Sequence, residues 1–167
     1  KAIVSKSGVV TALVEESKST DIVFFDNEGK KLDITVKSKL SGDGFPTDIA
    51  ISPDGTALLA AFQYLKGSSM MGRVVFYDFS EIGKNMPNRV VGGFDEEFVS
   101  SMVARVKYLD KINSVAIASD GLYFFSSKNI ASPKLVKTIK AENDIEAVAF
   151  EGDRLCVVYK NTSEKYN

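Results

Sequence analysis

The acidic run Asp95-Glu96-Glu97, set between Phe94 and Phe98 and preceded by Gly92-Gly93, gathers the side chains of this sequence best suited to handling protons. Two carboxylates in environments that separate their proton affinities can divide the roles of general acid and general base, as glycosidases do. Adjacent carboxylates on a loop instead point apart into water, so the run reads better as a rim that contacts a partner. Asp43, Asp48 and Asp54 form a second set of oxygen donors, but the Asp-x-Asp-x-Asp-Gly spacing of a calcium loop is missing. Turns recruit aspartate for local hydrogen bonds, which accounts for these three and for Asp26 and Asp78. The stretch Ser41-Gly42-Asp43-Gly44 offers backbone N–H groups to a phosphate. Thr47, however, stands where the third glycine of a dinucleotide fingerprint belongs, and a strand rather than a helix follows.

Histidine is absent from all 167 residues. That removes the usual general base near neutral pH, the commonest zinc ligand, and the ordinary serine and cysteine triads. The single cysteine, Cys156, has no partner for an intrachain disulfide, and its neighbours Leu155 and Val157-Val158-Tyr159 mark it as a core thiol. We therefore expect no catalytic, cofactor-binding or metal-ligating residue. A formal net charge of -1 gives no global field to attract a phosphate backbone, so nucleic acid is not an expected partner. The 44% hydrophobic and 26% charged fractions are those of a folded globular domain.

Positioning any such residues falls to a recurring element. Ile22-Val23-Phe24-Phe25-Asp26, Val74-Val75-Phe76-Tyr77-Asp78 and Leu122-Tyr123-Phe124-Phe125-Ser126 are each a hydrophobic-aromatic run closed by a small polar residue. Repetition at about 50 residues signals supersecondary units that bury their faces only against their neighbours. The first unit reads as strands at Ala2 to Val4, Val9 to Val14, Ile22 to Asp26 and Leu32 to Val36. The second reads as Thr47 to Ile51, Ala57 to Phe62, Arg73 to Phe79 and Arg89 to Val91, with a long loop from Gln63 to Gly72. The third reads as Val103 to Leu109, Ser114 to Ala118, Leu122 to Phe125 and Leu135 to Ile139, and the last as Ile145 to Phe150 and Leu155 to Tyr159. Lys134, Lys137 and Lys140 alternate faces on an outer strand, a placement that discourages edge pairing.

The expected fold is all-β: a partial propeller of four-stranded antiparallel blades, about three complete and half of a fourth, in one domain. The blades occupy about 1–38, 45–94, 99–140 and 144–167. Phe45-Pro46-Thr47-Asp48-Ile49-Ala50-Ile51-Ser52-Pro53-Asp54-Gly55 resembles the blade-opening segment of the broad YVTN and WD40-like class, although tryptophan and the Gly-His pair of true WD40 repeats are missing. Together with Val74-Val75-Phe76-Tyr77-Asp78-Phe79, Val91-Gly92-Gly93-Phe94-Asp95 and Ala118-Ser119-Asp120-Gly121-Leu122-Tyr123-Phe124, it resembles an uncharacterised Firmicutes family known as a domain of unknown function. The resemblance implies a membrane-anchored protein with an extracytoplasmic propeller-like domain. Its members are longer than this chain, which opens at Lys1 without an initiator methionine, so further sequence is expected upstream.

The expected function is a non-enzymatic binding or scaffold module, with an unknown protein or cell-wall ligand and no cofactor. The alternative is part of a propeller hydrolase or lyase whose active site needs further blades. Binding is expected on loops held by the rigid frame, at Asp43, Phe45, Met70, Met71, Phe94, Asp95, Glu96, Glu97 and Phe98. Open blade edges also predict self-association.

Overall fold

The aromatic runs do become the third strands of successive sheets. A computed structural model describes residues 1–4, 10–16, 19–33, 44–78, 95–98, 103–143, 145–151 and 154–159. The first sheet is β1 (Ala2–Val4), β2 (Val10–Glu16) and β3 (Ser19–Phe25), in that order. The second is β4 (Phe45–Ile51), β5 (Ala57–Lys66), β6 (Ser69–Asp78) and β7 (Asp95–Phe98). The third is β8 (Val103–Tyr108), β9 (Asn113–Ala118), β10 (Gly121–Ser126) and β11 (Lys134–Lys140), and the fourth is β12 (Ile145–Glu151) with β13 (Arg154–Tyr159). Every strand pair is antiparallel. The fold is all-β, an open set of sheets consistent with a partial propeller-like architecture, and no helix occurs among the described residues.

Period-two alternation explains how these sheets stack. On β5, Leu58, Ala60 and Phe62 join Ile22 and Phe24 of the first sheet in one cluster. The intervening Ala57, Leu59 and Ala61 join Val106, Tyr108, Ala116 and Phe125 of the third sheet in another. Strand β9 repeats the arrangement: Ala116 and Ala118 face the second sheet, while Val115 and Ile117 pack with Val148, Leu155 and Val157 of the fourth. Inner sheets thus bury both faces, and β5 is apolar from Ala57 to Phe62, where neither of its faces meets water. Small alanines facing large aromatics let the layers approach closely and fill the space between them.

Several boundaries differ from the sequence expectation. The segment expected as a long loop from Gln63 to Gly72 is a continuation of β5 and β6, closed by the two-residue turn Gly67-Ser68. Gly67 has φ +64°, and a primed hairpin turn requires a positive φ at its first central residue. The last strand of the second sheet is Asp95–Phe98; the expected strand at Arg89 to Val91 lies outside the described residues. After β3 the chain makes a single bridge, Phe25 to Lys31, and Leu32 donates to the carbonyl of Phe24 at 2.8 Å. Most of the fourth strand expected there, from residue 34 onward, also lies outside the described residues. Cys156, expected in the core, is exposed. It shares the outward face of β13 with Arg154 and Val158, on which no described sheet packs.

Candidate functional site

The first strands of the four sheets, β1, β4, β8 and β12, converge on one groove of about 390 Å3. Three of them carry an irregularity at the same place. Register slips between Pro46 and Asp48 on β4, between Val103 and Arg105 on β8, and between Ile145 and Ala147 on β12. A bulge of this kind adds one residue, bends the strand and re-aims the side chain that follows. The re-aimed residues include Asp48 and Arg105, both of which line the groove. Pro46 is tolerated because β4 ends its sheet, where a missing N–H costs no ladder bond.

Asp48 is 7% exposed, and both of its carboxylate oxygens are engaged. Lys1 Nζ donates to Oδ1 at 2.6 Å, and the backbone N–H of Val106 donates to Oδ2 at 2.9 Å. The carboxylate therefore links the beginning of the first sheet, the second sheet and the third. Arg105 and Lys107, two residues apart on β8, also line the groove and are exposed, whereas Val106 and Tyr108 between and beyond them are buried against the second sheet. Lysine and arginine thus outnumber the one carboxylate here, and that carboxylate is already bonded.

The other carboxylates with displaced proton affinity sit in turns. Burial opposes ionisation of Asp54, but hydrogen bonds from Ser52, Thr56 and Lys111 outweigh it and hold the group well below the usual carboxylate range. Ser52 Oγ and Thr56 Oγ1 donate to Asp54 Oδ1 at 2.7 and 2.8 Å, and Lys111 Nζ lies 3.2 Å from Oδ2. Asp110 is lowered by the side-chain amide of Asn113 and the backbone N–H of Ile112. Carboxylates held in the ionised form cap turns well and donate protons poorly. Burial, followed by its bond to Asp120, pushes the Tyr123 hydroxyl up to about 12. Among the described residues no three Cys, Asp or Glu side chains gather as a metal site requires. Asp48 and Asp54, weighed as calcium donors, each hold a lysine instead.

The nine positions expected to contact a partner divide as follows. Asp43 and Phe94 lie outside the described residues. Phe45 opens β4 and is 42% exposed, Met70 is half-buried, and Met71 is buried at 6%. Asp95, Glu96, Glu97 and Phe98 form β7, an edge strand rather than a loop, paired with Val75, Val74, Arg73 and Gly72 respectively. Phe45, Gln63, Gly72 and Phe98 follow one another across the second sheet in a single row, so the sheet does bring these positions to one end. That row belongs to a different part of the molecule from the groove.

Sequence reading missed Lys1, Arg105 and Lys107 as groove residues. A charged residue opening an otherwise apolar first strand, as in Asp48-Ile49-Ala50-Ile51 and Arg105-Val106, was the available signal. It also missed Arg73, which is 3% exposed and whose guanidinium lies 4.2 Å from the ring centroid of Tyr64, a buried cation–π contact.

Comparison with curated proteins finds no match. A family model matches this chain across residues 1–167, and the chain accordingly belongs to the family of unknown function DUF5711.

Proposed function

We propose that this chain is a non-enzymatic binding module of a propeller-like protein displayed outside a Gram-positive membrane, and that it holds an anionic ligand in the groove formed by its first strands. The observation that carries this reading is the exposed Arg105 on the groove wall beside an Asp48 whose two oxygens are both occupied. A groove of about 390 Å3 falls in the range that encloses a small ligand or one segment of a polymer. Forked guanidinium donors suit carboxylate or phosphate groups. The location and the propeller class rest on the resemblance of the blade-opening and aromatic segments.

Calorimetric titration of the chain with tripolyphosphate and with pentaglutamate tests the reading. Saturable binding of either probe that weakens with added salt and disappears in Arg105→Glu is expected. No binding of either anion at low ionic strength contradicts it.

A further inference from the structure

The groove between the first strands combines two kinds of surface. Asp48 is matched by Lys1, and Arg105 stands exposed on the wall formed by β8. Much of the remaining lining is aliphatic. Ile3 of β1, Ile51 of β4 and Val148 of β12 come from three different sheets, and all three are half-buried. Each packs on its inner side against a buried cluster, Ile3 and Ile51 on the one that holds Ile22 and Leu58, and Val148 on the one that holds Ile117. The part of these side chains that stays open is apolar surface in contact with water, and covering it is favourable.

Register sets the two kinds of surface side by side. Arg105 pairs with Ile117 across β8 and β9, so both side chains lie on the same face of the third sheet. Ile117 in turn shares its cluster with Val148 of the fourth sheet. The guanidinium therefore stands next to the aliphatic lining rather than apart from it. A fully hydrated polyanion would satisfy this cation but gain nothing from Ile3, Ile51 and Val148.

We propose that the groove selects an aliphatic monocarboxylate, whose carboxylate pairs with Arg105 and whose hydrocarbon chain covers Val148, Ile51 and Ile3. The inference rests on the anion reading of the same groove and deepens it by naming an amphipathic ligand. One guanidinium matches one carboxylate in charge and in forked geometry. A volume of about 390 Å3 lies toward the lower end of the range for ligand sites, which suits a short or medium chain.

Calorimetric titration of the full chain with butanoate, hexanoate and octanoate, each kept below its micelle concentration, tests the proposal. Affinity is expected to rise by about three- to tenfold with each added pair of methylenes, because each methylene that leaves water contributes and an open groove covers the chain in part. Octylamine, which has the same chain and the opposite charge, is expected to bind at least about tenfold more weakly than octanoate, and Arg105→Glu to abolish that preference. Arg105 is exposed, and the ligand series gives its readout on the unaltered protein. Excess tripolyphosphate is expected to displace octanoate, which puts both in one groove. Saturable tripolyphosphate binding without any dependence on chain length overturns this inference and leaves the anion reading standing, whereas failure of every anion to bind removes both. Equal binding of octanoate and octylamine, or octanoate that tripolyphosphate does not displace, also overturns it.

Discussion

The Asp48 carboxylate accepts the backbone N–H of Val106 at 2.9 Å, joining the second sheet to the third across 58 residues of sequence. Sheets stacked face to face make few backbone hydrogen bonds to one another, so a buried carboxylate that reaches a neighbouring strand fixes how the two first strands sit together. Asp48→Ala leaves the Val106 N–H buried without an acceptor and is expected to cost about 1–3 kcal/mol. Asp48→Asn keeps an acceptor oxygen and costs less. Lys1→Ala changes stability by less than about 0.5 kcal/mol, because the lysine side chain is 44% exposed. Urea denaturation of the three variants checks this order.

Phe76 and Phe125 tie the same two sheets at their third strands. Both are fully buried, so each alanine variant is expected to lose about 3–5 kcal/mol. The double variant should lose less than the sum by about 0.5–1.5 kcal/mol, the usual coupling of an edge-on aromatic pair. A double-mutant cycle in denaturant measures it.

Gly121 opens β10, where an added Cβ would collide with the carbonyl oxygen of Ile139 on β11. That neighbour is backbone and cannot rotate away. Gly121→Ala is therefore expected to destabilise by about 2 kcal/mol or more, by forcing β10 and β11 apart. Amide exchange should report the damage first at Leu122 and Ile139, which pair in register.

Asp54 sets an acid dependence. Its carboxyl is lowered in the folded chain, so its contribution is present above the unfolded value of about 3.9 and is lost as pH falls below that value through the folded one. Thermal melts should show stability dropping as pH is taken below about 4, and Asp54→Asn should flatten that drop while lowering Tm at pH 7.

Ser114 lies 0% exposed with its hydroxyl unpaired, between Tyr108 and Phe125 on the flanking strands. Ser114→Ala removes a desolvated group that nothing compensates, and the melting temperature is expected to hold or rise, by up to about 1 kcal/mol in stability.

The layered all-β order was legible because each third strand repeats its aromatic pair and each first hairpin announces itself by turn residues such as Ser52-Pro53-Asp54-Gly55. Strand ends were harder to read where polarity and structure part company. Asp95-Glu96-Glu97 looks like a solvated loop, yet edge strands tolerate and even favour charge, so composition could not separate the two. Serine and glycine in the Gln63 to Gly72 segment hide the hairpin, which needs only Gly67-Ser68 for its turn. Cys156 reads as a core thiol because an apolar strand in an inner sheet and one in a terminal sheet have the same sequence pattern; what differs is whether a neighbour covers the second face. The groove itself depends on bulges at Thr47, Ala104 and Glu146, which arise from tertiary fit and leave no mark in hydropathy.

The first-strand groove, rather than the row from Phe45 to Phe98, is where the proposed anion would sit. The most direct measurement is an amide chemical-shift titration of the isotopically labelled chain with tripolyphosphate. Saturable shifts are expected only at the residues lining the groove, which are Lys1, Ile3, Asp48 to Ile51, Arg105 to Tyr108, Ile117 and Val148. Shifts centred instead on Phe45, Gly72 and Phe98, or none anywhere, would contradict it.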